Sequence, residues 1–146
     1  MKRLSLIIIG LLVTGLSAFG CVQRPGGQAD AGWITLLDGS NLEHWNRVGN
    51  ANWRLAEGTV QADNGSGFLV SKNSYTDFQI RAEFWADPAA NSGIFIRCTD
   101  PQKINSKNSY EVNIYDQRPD PDYGTGAIVE IAKVSPMPKR QIDGIR

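Results

Sequence analysis

The sequence predicts an all-β fold, a β-sandwich or jelly roll, on three observations. No window after residue 32 carries a sustained apolar stripe at helical spacing. Short runs alternating apolar and polar residues recur instead. Turn residues separate the runs, at Asp38-Gly39, Glu57-Gly58, Asn64-Gly65 and Asn91-Ser92-Gly93. Many short strands joined this way bury their apolar faces by stacking two antiparallel sheets.

The expected strands, in order, are Trp33–Leu37, Trp53–Ala56, Thr59–Ala62, Phe68–Ser71, Phe78–Trp85, Ile94–Cys98, Tyr110–Tyr115 and Ala127–Val134. Alternation assigns their faces. In Phe78–Trp85, Phe78, Ile80, Ala82 and Phe84 face one way, and Gln79, Arg81, Glu83 and Trp85 the other. In Ile94–Cys98, Ile94, Ile96 and Cys98 oppose Phe95 and Arg97. In Tyr110–Tyr115, Val112 and Ile114 oppose Glu111, Asn113 and Tyr115. Each strand thus has a plain apolar face for a core and a second face bearing carboxylates, Arg, an amide and flat rings.

Composition bounds what such a domain does. A chain of 146 residues, 41% hydrophobic, supports one domain. Fifteen basic residues balance fifteen acidic ones, so there is no cationic excess to hold a phosphate backbone and nucleic acid is not an expected partner. Two Cys and one His exclude a disulfide scaffold and argue against a Cys/His zinc site.

The N-terminus reads as a targeting segment. Met1-Lys2-Arg3 is a positive start, and Leu4 to Leu16 is almost wholly apolar, with the length of a signal-peptide core rather than a membrane span. Small residues precede Cys21 in Ser17-Ala18-Phe19-Gly20-Cys21, which resembles a bacterial lipoprotein processing site. The expectation is a signal peptide over 1–20, acylation of Cys21, and a flexible tether over 21–32 carrying Pro25, Gly26 and Gly27. The protein is then exported to the cell envelope or periplasm and touches membrane only through the anchor. Cleavage by ordinary signal peptidase, with plain secretion, is the alternative. With Cys21 acylated, Cys98 has no partner in the chain and reads as a small hydrophobe in an apolar run.

If the strands neighbour one another, one open face collects Glu83, Trp85, Phe95, Arg97, Glu111, Asn113 and Tyr115. Sugars need that mixture, because their C–H faces stack on rings while their hydroxyls need paired donors and acceptors. A solvated sheet face with ordinary cross-strand ion pairs is the plainer reading.

An ordered series of motifs resembles the 3-keto-disaccharide hydrolase family. It comprises WITLLDGSNLEHW (33–45), WRLAEGTV (53–60), FQIRAEF (78–84), NSGIFIR (91–97), YEVNIYD (110–116) and GTGAI (124–128). Asn113 stands where the family pattern commonly has a longer amide, and Val129 where Tyr often follows GTGAI. The resemblance implies a concanavalin-like jelly roll over 33–146. It also implies further strands beyond Pro136-Met137-Pro138, which Lys139–Arg146 does not resemble. The sandwich is therefore expected to be incomplete at its C-terminal end, and the chain alone unstable or partly folded.

The chemistry implied by the resemblance is cleavage of glycosides already oxidised at C3. The keto group acidifies the C2–H, a base removes that proton, the C1 aglycone leaves by β-elimination, and water adds afterwards. The resemblance makes Glu111 the leading base or acid, Arg97 the clamp on the enolate or a hydroxyl, and Glu83 the second acid/base. Asn91 and Asn113 would bond hydroxyls, and Trp85 and Tyr115 would stack. Two rival readings use the same residues: a non-catalytic carbohydrate-binding module, and a two-carboxylate glucanase in which a bulge brings Asp116 beside Glu111. Asp116, Asp120 and Asp122 in a Pro-rich loop offer oxygen ligands for calcium, with a solvated acidic loop as the plainer reading. His44 reads as a surface residue.

Overall fold

The computed structural model describes residues 4–12, as backbone, and 32–139. Among these the chain forms nine strands and one short 3₁₀ turn, so the all-β expectation holds. The strands are β1 Leu4–Leu12, β2 Trp33–Leu37, β3 Trp45–Gly49, β4 Arg54–Ala56, β5 Thr59–Ala62, β6 Gly67–Ser71, β7 Gln79–Ala86, β8 Ser92–Ile96 and β9 Tyr110–Ile114. Expected and observed bounds agree to within two residues from β4 to β9, and β2 and β5 coincide with their expected spans.

Three differences have local causes. β3 was not expected, because in WNRVG the apolar Trp45 and Val48 are three residues apart and do not alternate. Ala127–Val134 is not a strand. Ile128 bridges to Val112 and then to Ala132, because Glu130 sits in the left-handed region at φ 61° and turns the chain back. The apolar run read as a signal-peptide core forms β1 over Leu4–Leu12. Cys21, the tether up to residue 31 and residues 140–146 lie outside the described residues.

All pairings are antiparallel. One edge of β1 pairs with β7 from Leu4↔Ala86 to Leu12↔Gln79. Its other edge pairs with β2 near one end and with β5 near the other, and β5 continues to β4. The second group of strands comprises two separate pairs, β3 with β6 and β8 with β9.

Contacts between the groups are specific. Leu36 of β2 packs with Trp45 of β3, with Tyr75 and Phe78, and with Ala82 of its own sheet, and the Trp45 indole N–H donates to the Leu36 carbonyl at 2.8 Å. Phe68 of β6 meets Phe95 of β8 edge to face, with ring centroids 5.3 Å apart. The buried apolar side chains are few: Leu36, Leu37, Val60, Ala90, Ile114, Ala127 and Val129. Of the eight residues expected on apolar faces in Phe78–Phe84, Ile94–Ile96 and Val112–Ile114, Ile114 alone is fully buried, and Ile80 keeps 38% of its surface exposed. Phe78, Ile80, Ile94 and Ile96 border an open cleft instead of a closed core.

Candidate active site

The cleft has a volume of about 1040 Å³ and runs between β3–β6, the start of β7 and the β8–β9 pair. NSGIFIR and YEVNIYD meet here. β8 and β9 pair with Phe95 opposite Glu111 and Gly93 opposite Asn113. Period two therefore puts Gly93, Phe95, Glu111 and Asn113 on one face.

Glu111 is half-buried on the cleft wall. Among the described residues no hydrogen bond or ion pair reaches its carboxylate. Its pKa is raised: burial is the largest cause, the positive charge of Arg118 pulls it partly back, and the negative charge of Glu130 adds a smaller upward push. A carboxylate held this way is a stronger base when ionised than one on an open surface.

Gly93 makes the room for it. A Cβ at residue 93 would lie 2.8 Å from Glu111 Oε1 and 2.9 Å from its Cγ. Gly93 is also not among the glycines with positive φ. It serves space, not the turn that NSG suggested; the turn lies just before it, closed by Ala90 N–H donating to the Asp87 carbonyl.

Arg97 follows the end of β8 at φ 59°, a strained backbone conformation for a residue with a side chain. The left-handed residue breaks the alternation that had placed Arg97 beside Phe95. It lays the guanidinium 5.5 Å from the centroid of the Phe78 ring, a cation–π contact on the cleft wall. Asn91 is exposed and also lines the cleft.

The single-face expectation does not hold for the other residues. Glu83 and Trp85 belong to β7, which pairs with β1 and not with β8 or β9, and neither lines the cleft. Asn113 is 1% exposed, and its Nδ2 donates to the Tyr123 carbonyl at 2.6 Å. The chain from 123 to 129 covers β9 there, so the side chain ties a loop down. Asn113 Oδ1 is buried without a hydrogen-bond partner among the described residues. Tyr115 is half-buried outside the cleft, its N–H donating to Thr125 Oγ1.

The rings that do line the cleft are Trp45, Trp53, Phe68, Tyr75, Phe78 and Phe95. Only Phe95 was anticipated. Trp45 and Trp53 stand in the quoted motifs, but the β3–β6 pairing that turns this wall inward has no signal in local alternation. The buried Trp53 indole N–H has no partner among the described residues.

The acidic loop is held by its own contacts. Asp116 accepts from Thr125 Oγ1, Asp120 from the Asp122 N–H, and Asp122 pairs with Lys133 at 2.8 Å. No group of three His, Cys, Asp or Glu residues able to hold a metal occurs among the described residues. Cys98 is half-buried and its thiol donates to the Asp100 carbonyl. His44 is exposed.

The family model described as 3-keto-alpha-glucoside-1,2-lyase-like domain matches residues 32–143. The chain belongs to this family. No curated protein and no solved structure matches it. Membership in the 3-keto-alpha-glucoside-1,2-lyase-like family makes a carbohydrate-active protein with a lyase- or hydrolase-like role toward 3-keto-glycosides. The matched span contains Asn91, Arg97 and Glu111, the three anticipated site residues that line the cleft.

Proposed function

We propose that the chain cleaves 3-keto-glycosides by C2 proton abstraction followed by β-elimination and hydration, with Glu111 as the base. The observation that carries this reading is a half-buried cleft carboxylate of raised pKa with no ion-pair partner and a glycine vacating the space it occupies. Glu111 takes the C2 proton, and the C–H electrons pass into the C2–C3 bond as the C3 oxygen becomes anionic. The Arg97 guanidinium, leaving the Phe78 face, offsets that charge. Collapse of the enolate breaks the C1–O bond, and the departing oxygen takes a proton. Water then adds across the resulting double bond. Asn91 holds a hydroxyl at the mouth, and the aromatic wall stacks on the sugar or its aglycone.

The rival two-carboxylate mechanism fits less well. Asp116 does not line the cleft. The cleft carboxylate besides Glu111 is Asp63, which is held by Arg54 at 2.7 Å and by Asn52 at 2.7 Å. Incubation with a 3-keto-glucoside and with its unoxidised parent tests the proposal. Aglycone is expected from the keto compound alone. Equal release from both would refute the elimination route, and saturable binding without release would make the protein a carbohydrate-binding module.

Gly93→Ala is the sharpest test of how Glu111 is placed. The added methyl must displace the Glu111 side chain, so release is expected to fall roughly tenfold to a hundredfold, with little change in melting temperature. An unchanged rate would mean that the position of Glu111 does not matter.

We also infer export and lipid anchoring through Cys21, from the positive start, the apolar run and the small residues before the cysteine. Metabolic labelling with a fatty-acid analogue should mark the wild type and not Cys21→Ser. Equal labelling of the two would rule out the anchor.

A further inference from the structure

Asn113 Oδ1 is a buried acceptor with no hydrogen bond among the described residues, and it shares a strand face with Glu111. The register of β8 and β9 brings the two side chains together. Glu111 is opposite Phe95, and Asn113 is opposite Gly93. Yet Glu111 Oε1 lies 2.8 Å from the position a Cβ would take on Gly93. The Glu111 side chain therefore leans along the strand, away from its own register level and toward that of Asn113. Gly93 has no side chain to stand between them. Directly opposed residues of an antiparallel pair have Cβ positions about 4.5–5.5 Å apart. Rotation about the bonds of the Glu111 side chain thus brings its carboxyl group to the amide.

The direction of the amide follows from the segment that covers β9 on the edge away from β8. Gly126 N–H donates to the Asn113 carbonyl and Val129 N–H to the Glu111 carbonyl, so this segment runs from Asn113 toward Glu111. Residues before Gly126 lie toward Tyr115, whose N–H donates to Thr125 Oγ1 at 2.9 Å. Asn113 Nδ2 donates to the Tyr123 carbonyl in that same stretch, at 2.6 Å. The two arms of a carboxamide diverge, so Oδ1 turns the other way, toward Glu111. An ionised carboxylate and an amide oxygen both only accept, and they make no bond with each other. A protonated carboxyl carries the O–H that Oδ1 lacks.

We propose that Asn113 is a positioning residue for the base: its Oδ1 accepts a hydrogen bond from the Glu111 carboxyl once that group has taken the C2 proton. The proposal rests on reading Glu111 as the base of the elimination. In that step the C2–H bond breaks, an O–H bond forms on Glu111, and the electron pair moves into the enolate. The new O–H turns onto Asn113 Oδ1 and is held off C2 while the C1–O bond breaks. The proton returns to C2 when water adds at C1, and Asn113 is covalently unchanged throughout. A hydrogen bond made only by the protonated form favours that form. It acts alongside burial and Glu130, from the turn after Ile128, and against Arg118, from the loop after β9. β8 faces Glu111 with Gly93 and Phe95, which carry no charge.

The experiment titrates the full chain, isotopically labelled at the glutamate and asparagine side-chain carbonyls, by NMR without substrate. The Glu111 signal is identified by its absence in Glu111→Gln. The Asn113 side-chain carbonyl is expected to shift with the same midpoint as Glu111. In Asn113→Leu the Glu111 midpoint should fall by roughly half to one pH unit, the effect of one ordinary hydrogen bond. The acid limb of aglycone release should move down with it. Asn113→Asp keeps an oxygen facing Glu111 and sets two carboxyl groups side by side. The upper midpoint of that pair should rise above that of wild-type Glu111. Both variants lose the amide N–H that ties down Tyr123, so a role confined to that tie would move both midpoints the same way. An Asn113 signal that stays still while Glu111 titrates would overturn the proposal. So would an unchanged Glu111 midpoint in folded Asn113→Leu; where that variant does not fold, the wild-type titration decides alone. A wild type that titrates as expected but releases no aglycone from a 3-keto-glucoside would overturn the elimination reading and the catalytic use of the contact, and leave the hydrogen bond standing.

Discussion

Glu111→Gln is expected to lower aglycone release by about 10²–10⁴-fold, the usual contribution of a positioned general base, while raising the melting temperature at neutral pH. The two effects share a cause. Burial and Glu130 disfavour the ionised carboxylate and raise its pKa. A group whose pKa is higher folded than unfolded stabilises the fold below its unfolded pKa, and that contribution is lost as pH rises through the folded value. At neutral pH, ionised Glu111 is therefore a burden on the fold, and the neutral amide of Gln removes it. Because the carboxylate is only half-buried, the gain in stability is small, and it should vanish in acid, where wild-type Glu111 is protonated. The same shift sets the activity profile. The base works when ionised, so the acid limb of kcat/KM should lie above the ordinary glutamate range. Binding of a 3-keto-glucoside should survive in the variant. Full activity in Glu111→Gln would end the assignment, and a lower melting temperature at pH 7 would mean that the carboxylate makes a favourable contact.

The strand order along the chain was legible because alternation is a local signal. Glu57-Gly58 between Arg54–Ala56 and Thr59–Ala62 announces its hairpin within nine residues. The face of each strand was legible only where alternation continues. Arg97 leaves it through a left-handed backbone that no neighbouring residue type announces. Asn113 keeps its place in the alternation, yet its exposure is reversed by a loop that arrives ten residues later in sequence. Which strands lie side by side was not legible. Glu83 and Glu111 both sit on polar faces, but β7 pairs with β1, and that depends on edges about seventy residues apart in sequence being brought together. NSGIFIR and YEVNIYD did meet as neighbours, and they carry Asn91, Arg97 and Glu111 to one cleft. Two rings of the aromatic wall, Trp45 and Phe68, came from β3 and β6, whose pairing joins segments about twenty residues apart with β4 and β5 between them.

Gly39→Ala and Gly58→Ala should differ sharply although the two glycines have similar backbones, at φ 77° and 71°. An alanine in the left-handed region costs about 1–2 kcal/mol at either site. The difference lies in the space around them. At Gly58 an added Cβ meets nothing within 4 Å, whereas at Gly39 it would lie 1.8 Å from the carbonyl oxygen of Gly58. That oxygen belongs to a two-residue hairpin turn and has little freedom to retreat. The Asp38-Gly39 turn is pinned as well, because Asp38 Oδ1 accepts from both the N–H and the hydroxyl of Ser40, at 2.9 and 2.6 Å. The turn also ends β2 at Leu37 while the hairpin begins β5 beside Val60, and these are two of the most deeply buried apolar side chains. Separating the turns would therefore open the best-packed part of the core. Forced overpacking adds about 1–3 kcal/mol to the backbone cost, out of a total stability of about 5–15 kcal/mol. Thermal unfolding should show Gly58→Ala a few degrees below wild type and Gly39→Ala several degrees lower again. Equal melting temperatures for the two variants would show that the turns do not touch, and that β2 is not held against the β4–β5 hairpin at this point.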